Sequence, residues 1–210
     1  MHPLRRLYVV LLVSYPIVLH ILIANGRPEI GLILFAILLS WSALSDLLER
    51  KTPDPLLLLT ISAAGIAIML FRGNEILFLK LVPITIYLSL ALVFSSSLRA
   101  GSKPLITRMA ILIRGEISDR EKLYTHCVTI AWAIFFFTMA VTSGLLATLA
   151  TDQEWSLFTN IISYLLTGAF FITEFLVRRV KLASEVNYSF KSFITALAKV
   201  DFSKVIKGPR

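Results

Sequence analysis

Residues 76–98 read ILFLKLVPITIYLSLALVFSSSL, and Lys80 is the single charge among them. A helix needs about 20 apolar residues to cross the roughly 30 Å hydrocarbon core of a bilayer, and this run is long enough. Backbone N–H and C=O groups cannot stay unpaired in lipid, and the run does not alternate polar with apolar as a barrel strand would. It therefore reads as a membrane-crossing helix.

Five more such runs flank it. On the N-terminal side they are Leu7–Ala24, Glu29–Leu48 and Pro53–Phe71; on the C-terminal side they are Leu123–Ala150 and Trp155–Val177. Polar breaks separate them: Asn25-Gly26-Arg27-Pro28, Glu49-Arg50-Lys51, Arg72-Gly73-Asn74-Glu75 and Thr151-Asp152-Gln153-Glu154. The expectation is an all-α polytopic integral membrane protein. It has about six transmembrane helices over residues 1–180 and a basic amphipathic tail over residues 181–210. The first run is long for a signal peptide and no Ala-x-Ala cleavage site follows it, so it reads as a retained span.

Composition agrees. Of 210 residues, 57% are hydrophobic and 16% charged, and the mean hydropathy is +0.80. A soluble domain carries about 25% charged residues and cannot hide this much apolar surface from water. The net charge of +8 has an explanation in topology, and nucleic acid is not needed to account for it. With both ends inside, eighteen of the twenty-one Lys and Arg fall on the cytoplasmic side, and only Arg27, Arg72 and Lys80 lie outside. That asymmetry is the positive-inside pattern.

Two segments are too short to span. Residues 103–114 place Leu105, Ile106, Met109, Leu112 and Ile113 on one helical face between basic ends, which reads as a helix lying in the cytoplasmic interface. In the tail, Phe190, Phe193, Ile194 and Leu197 repeat that pattern, and residues 178–210 carry eight positive and two negative side chains. Anionic lipid of the cytoplasmic leaflet is the expected partner of such segments. A docked protein is the alternative.

Ionisable groups inside a span are costly and are the first place to look for function. His20, Asp46, Lys80 and Glu174 each lie near the end of a span. Glu174 with Arg178, and Asp46 with Arg50, have the i, i+4 spacing of a helical ion pair, while Lys80 can snorkel to the outer head groups. His20 reads as a hydrogen-bonded helix residue. Asp46, Glu174, Lys103 and Arg108 share the cytoplasmic face and are the candidate contacts for a lipid head group, a phosphate or a partner. Asn160, one turn into the last span, and Trp132 join these candidate contacts, and Trp132 and Trp155 read as interface or bundle residues. Pro16 and Pro83 either kink their spans or mark where helices begin. The lone Cys127 excludes an intramolecular disulfide and reads as a small packed residue. There is no His/Cys cluster, Walker loop, dinucleotide fingerprint or nucleophile elbow, so no catalytic, cofactor or metal residue is expected.

Ser97-Leu98-Arg99, Lys103-Pro104-Leu105-Ile106-Thr107-Arg108, Tyr124-Thr125 and Ala131-Trp132-Ala133-Ile134-Phe135-Phe136 run in that order, followed by Trp155-Ser156-Leu157-Phe158-Thr159-Asn160, Tyr164-Leu165-Leu166 and Glu174-Phe175 before Arg178-Arg179. Together, over roughly residues 76–180, they resemble an uncharacterised bacterial inner-membrane protein family often encoded beside aryl-polyene or fatty-acid-like biosynthesis genes. The Lys-Pro-Leu-Ile-x-Arg-Met string is also similar to the intracellular septation protein A family. The resemblance implies a bacterial inner membrane, with envelope or lipid-biosynthesis proteins as partners. It brings no catalytic residue, and the tail beyond Lys181 departs from both patterns. Three roles follow: an accessory or scaffold protein for cell-envelope or polyene-lipid biosynthesis, a carrier or flippase for a lipid-like product, and a membrane enzyme acting on acyl or phosphate-bearing lipid. The chain also allows a homo-oligomer, which would double the spans available to a carrier.

Overall fold

The computed structural model describes residues 3–50, 65, 73, 75–182 and 195. All regular structure among them is helical. The helices are α1 (Pro3–Ala24), α2 (Pro28–Arg50), α3 (Glu75–Ser96), α4 (Leu105–Arg114), α5 (Asp119–Leu149) and α6 (Asp152–Lys181). Helix α6 contains a π-helical turn at Phe158–Ile162. Among the described residues three helices are long and apolar enough to cross a membrane, namely α3, α5 and α6. Helices α1 and α2 cover the first two predicted spans, with apolar stretches at Val10–Ala24 and Pro28–Leu38. Of the predicted third span, only Gly65 lies within the described residues, and the tail beyond Leu182 lies outside them apart from Thr195.

Pro16 and Pro83 both sit inside helices, so neither marks a helix start. Helix α5 has 31 residues. At 1.5 Å per residue it is about 46 Å long, which exceeds the hydrocarbon core and matches the whole bilayer with its head groups.

The chain divides into two units. One comprises residues 1–83 and 143–164, the other residues 84–142 and 165–210. The first unit is built on the α1–α2 hairpin. Helix α1 ends in the two hydrogen bonds of a Schellman turn, Gly26 N–H to the Ile23 carbonyl (3.0 Å) and Arg27 N–H to the Leu22 carbonyl (2.9 Å). Gly26 supplies the left-handed φ of +69° that this turn requires, and Pro28 opens the next helix. The two helices then pack closely. The Tyr15 hydroxyl donates to the Gly31 carbonyl at 3.3 Å, and a Cβ at Gly31 would run into the Leu19 side chain. Leu19, Ile23, Leu32, Leu79 and Trp155 form the buried core, so Trp155 is a bundle residue and not an interface anchor.

In the same unit Lys80 differs from expectation. It turns inward to Asp152 Oδ1 (2.6 Å) and to the Ala147 carbonyl (3.0 Å). Its cation thus meets the orphan carbonyls at the C-terminus of α5, where the helix dipole is negative. The α5–α6 turn is fixed by a full capping box: Glu154 N–H donates to Thr151 Oγ1, and Thr151 N–H donates to Glu154 Oε2 (2.9 Å).

The second unit gathers Ala91, Val128, Trp132 and Phe136, with Phe94, Ile106, Phe135 and Phe170 packed around them. The Trp132 ring lies 4.6 Å from the Phe170 ring, edge-on, and 5.3 Å from that of Phe136.

The Gly31 contact generates a prediction. Gly31→Leu overpacks the hairpin and costs about 1–3 kcal/mol, read as a lower unfolding midpoint of the purified protein in detergent by circular dichroism. Gly144→Ala in α5, where the added methyl meets nothing, leaves the midpoint unchanged or raised.

Candidate functional site

The polar groups that sequence placed on the cytoplasmic face are arranged by the second unit. Helix α4 forms where the amphipathic segment was expected, but its buried residues are Leu105, Thr107 and Ala110, and Leu112 stays exposed. The helix is thus held to the protein by Leu105 and Ile106 together with the small Ala110 and the hydroxylic Thr107. Thr107 and Thr125 bond through their hydroxyls at 2.8 Å. Pro104 precedes the helix and gives its first N–H groups no side-chain cap. Other elements supply one. Leu105 N–H donates to Ser97 Oγ (3.0 Å) and Ile106 N–H donates to Thr129 Oγ1 (3.3 Å). Two orphan donors of α4 are satisfied in this way.

An ion pair ties the far end of α4. Arg114 pairs with Glu121, whose side chain is 2% exposed, the most buried carboxylate among the described residues. Ser118 caps α5 by accepting from Glu121 N–H at 3.1 Å. Glu121 was missed in the sequence, although a signal was there. Ser118-Asp119-Arg120-Glu121 is a Ser-x-x-Glu start signature just ahead of an apolar run. The four-residue turn after Arg114 then brings this carboxylate back to the arginine.

Glu174 does not join Lys103 and Arg108. It binds Arg178 through Nη2 (2.7 Å) and Nε (2.9 Å), and it accepts from the Tyr124 hydroxyl at 3.3 Å. The same hydroxyl lies 3.1 Å from the Glu174 carbonyl, and the Arg178 guanidinium stands 5.5 Å from the Tyr124 ring centre. Both side chains of the ion pair are close to one-tenth exposed. The expected i, i+4 pair is therefore formed, with a tyrosine from α5 added. Arg108 folds back on its own loop, donating to the Lys103 carbonyl (2.6 Å) and to Ser102 Oγ (3.3 Å), while the Lys103 side chain is exposed. Asp46 falls within α2, but its side chain lies outside those described.

A cleft of about 430 Å³ opens beside Glu174 between α5 and α6. Leu123, Val128, Ala131, Phe170 and Val177 give it apolar walls, and Arg120 and Lys181 stand at one end. Cys127 lines it and is exposed, which corrects the packed placement expected from sequence. Trp132 is 8% exposed and sits behind this wall in the aromatic core.

Asn160 belongs to the first unit. It lies in the π-turn of α6 and donates to Ser156 Oγ at 3.0 Å. The Ser156 hydroxyl also meets His20 Nδ1 at 3.1 Å, which links α1 to α6. Ser156 is fully buried, so this histidine–serine contact serves helix packing and exposes no nucleophile. No group of three or more metal-ligating side chains occurs among the described residues.

The Glu174–Arg178 pair allows a direct check. Arg178→Gln strands a buried carboxylate and costs about 3–5 kcal/mol. Glu174→Gln and Arg178→Gln together cost less than that single change, a difference that a double-mutant cycle of denaturant unfolding in micelles resolves.

Comparison of the chain with protein-family models, with curated proteins and with solved structures finds no match to any of them.

Proposed function

We propose that this protein is a six-span accessory protein of the bacterial inner membrane, with both termini cytoplasmic, that holds envelope or lipid-biosynthesis proteins at the membrane surface. The observation that carries this reading is the α4 platform. The segment joining α3 to α5 is a folded cap, pinned by Thr107–Thr125, by the Ser97 and Thr129 caps and by Arg114–Glu121. It presents Arg99 and Lys103 as exposed cations, and Arg120 and Lys122 follow on the first turn of α5, Lys122 paired with Asp119 at 2.7 Å. A cationic surface on a rigid base offers a partner a fixed register and costs little ordering entropy on binding. The resemblance over residues 76–180 is the ground for proposing the bacterial inner membrane and the envelope setting, and the eighteen-to-three charge split supports the orientation.

A carrier needs ionisable groups that are free to change partner. Glu174, the carboxylate that would serve, is held by Arg178 and Tyr124, which favours the accessory role.

Crosslinking in the membrane followed by affinity capture tests the proposal. The wild-type chain is expected to retain discrete envelope-lipid enzymes. Reversing Arg99, Lys103 and Lys122 to Glu should reduce their recovery at least tenfold with expression unchanged, since like charge set against a complementary patch costs several kcal/mol. Equal recovery from both proteins would remove the platform from the account.

A further inference from the structure

We infer that the cleft between α5 and α6 is a site for one anionic phospholipid, its phosphate between Arg120 and Lys181 and its acyl chain on the wall running to Phe170. The inference rests on α5 and α6 crossing the bilayer and does not depend on the platform having a protein partner.

Three observations converge on that occupant. The first is charge. Arg120 opens the first turn of α5, Lys181 closes α6, both are exposed at the same end of the cleft, and neither has an ion-pair partner among the described residues. The one carboxylate on the wall, Glu174, is already neutralised by Arg178. The lip is therefore cationic and asks for an anion.

The second is polarity along the groove. Behind the two cations the wall turns apolar, with Leu123 and Val128 on α5 and Val177 and Phe170 on α6. A free phosphate would use only the lip and leave this surface uncovered. An amphiphile uses both ends. The cleft volume of about 430 Å³ also falls within the range of small-ligand sites.

The third is depth. From Arg120 to Ala131, and from Lys181 back to Phe170, the helical rise gives about 16 Å on each side. Both helices have the length of a whole bilayer with its head groups, so the lip lies in the head-group layer and the Phe170 end about 10 Å inside the hydrocarbon. A phospholipid of the adjoining leaflet has its phosphate and its first methylenes at those levels.

The test uses delipidated full-length protein in neutral detergent, titrated with phosphatidylglycerol or phosphatidylcholine and read by native mass spectrometry. Cys127, the chain's only cysteine, lines the cleft and reports occupancy through its rate of alkylation by N-ethylmaleimide. Expected are one preferentially retained phosphatidylglycerol, slower alkylation when it binds, and an affinity about thirtyfold lower in R120Q/K181Q. Unchanged helix content by circular dichroism shows that this variant is folded. Equal affinity for the two lipids, a preference that survives in R120Q/K181Q, or displacement of the lipid by millimolar inorganic phosphate would each overturn the site. Loss of protein capture by the Arg99, Lys103 and Lys122 reversals leaves this result untouched, so the two proposals fail separately.

Discussion

A polar group carried into hydrocarbon must bring its partner along. That constraint orders most polar groups on the long helices, with Ser143 Oγ and Trp155 Nε1 buried without a partner among the described residues. Hydroxyls along α5 and α6 bond to carbonyls one turn back: Thr125 to Glu121, Thr129 to Thr125, Thr159 to Trp155, Ser163 to Thr159 and Thr173 to Ala169. Charged groups go further and find ionic partners. Lys80 takes Asp152 in one unit, and Glu174 takes Arg178 while Glu121 takes Arg114 in the other. None of these ionic partners lies near the middle of a long helix. The apolar stretches between them need only van der Waals packing, which the Trp155 and Trp132 clusters provide.

The same constraint makes α4 a structural element. A ten-residue helix between α3 and α5 has unsatisfied backbone groups at both ends. Ser97 and Thr129 cap two of its first N–H groups, and its last turn closes with Gly115 N–H on the Ile111 carbonyl at 2.7 Å. Once capped from outside, the helix is tied to α5 and cannot drift in the interface as an isolated amphipathic helix would. The cations that flank it, Lys103 before and Arg120 after, stand next to a helix held by hydroxyl bonds and by the Arg114–Glu121 pair.

Sequence reading located the helices well because hydropathy and charge carry that signal. The described helices begin and end within about four residues of the predicted spans, and the larger differences lie where charged residues extend a helix beyond its apolar run. The Glu174–Arg178 pair was also legible, since both partners share one helix. What failed needed knowledge of helix rotation. Helices α3 and α5 are apolar on nearly every side, so no stripe shows which face turns inward. Tyr124 beside Glu174, Thr107 on Thr125 and His20 on Ser156 all join different helices and left no mark in local spacing. The sequence points Lys80 to head groups because a lysine near a span end snorkels by default, and Asp152 and the orphan carbonyl of Ala147 offer it a better partner. The π-turn around Asn160 has no periodic signature at all.

The central claim is that α5 crosses the membrane with its polar ends on opposite faces. Single-cysteine proteins made in a Cys127→Ser background, one carrying Glu116→Cys before α5 and one carrying Gln153→Cys after it, test this with a membrane-impermeant maleimide on intact cells. The account predicts that the cysteine at position 153 reacts in intact cells and the one at position 116 only after permeabilisation. Reaction of both from the same side would contradict it.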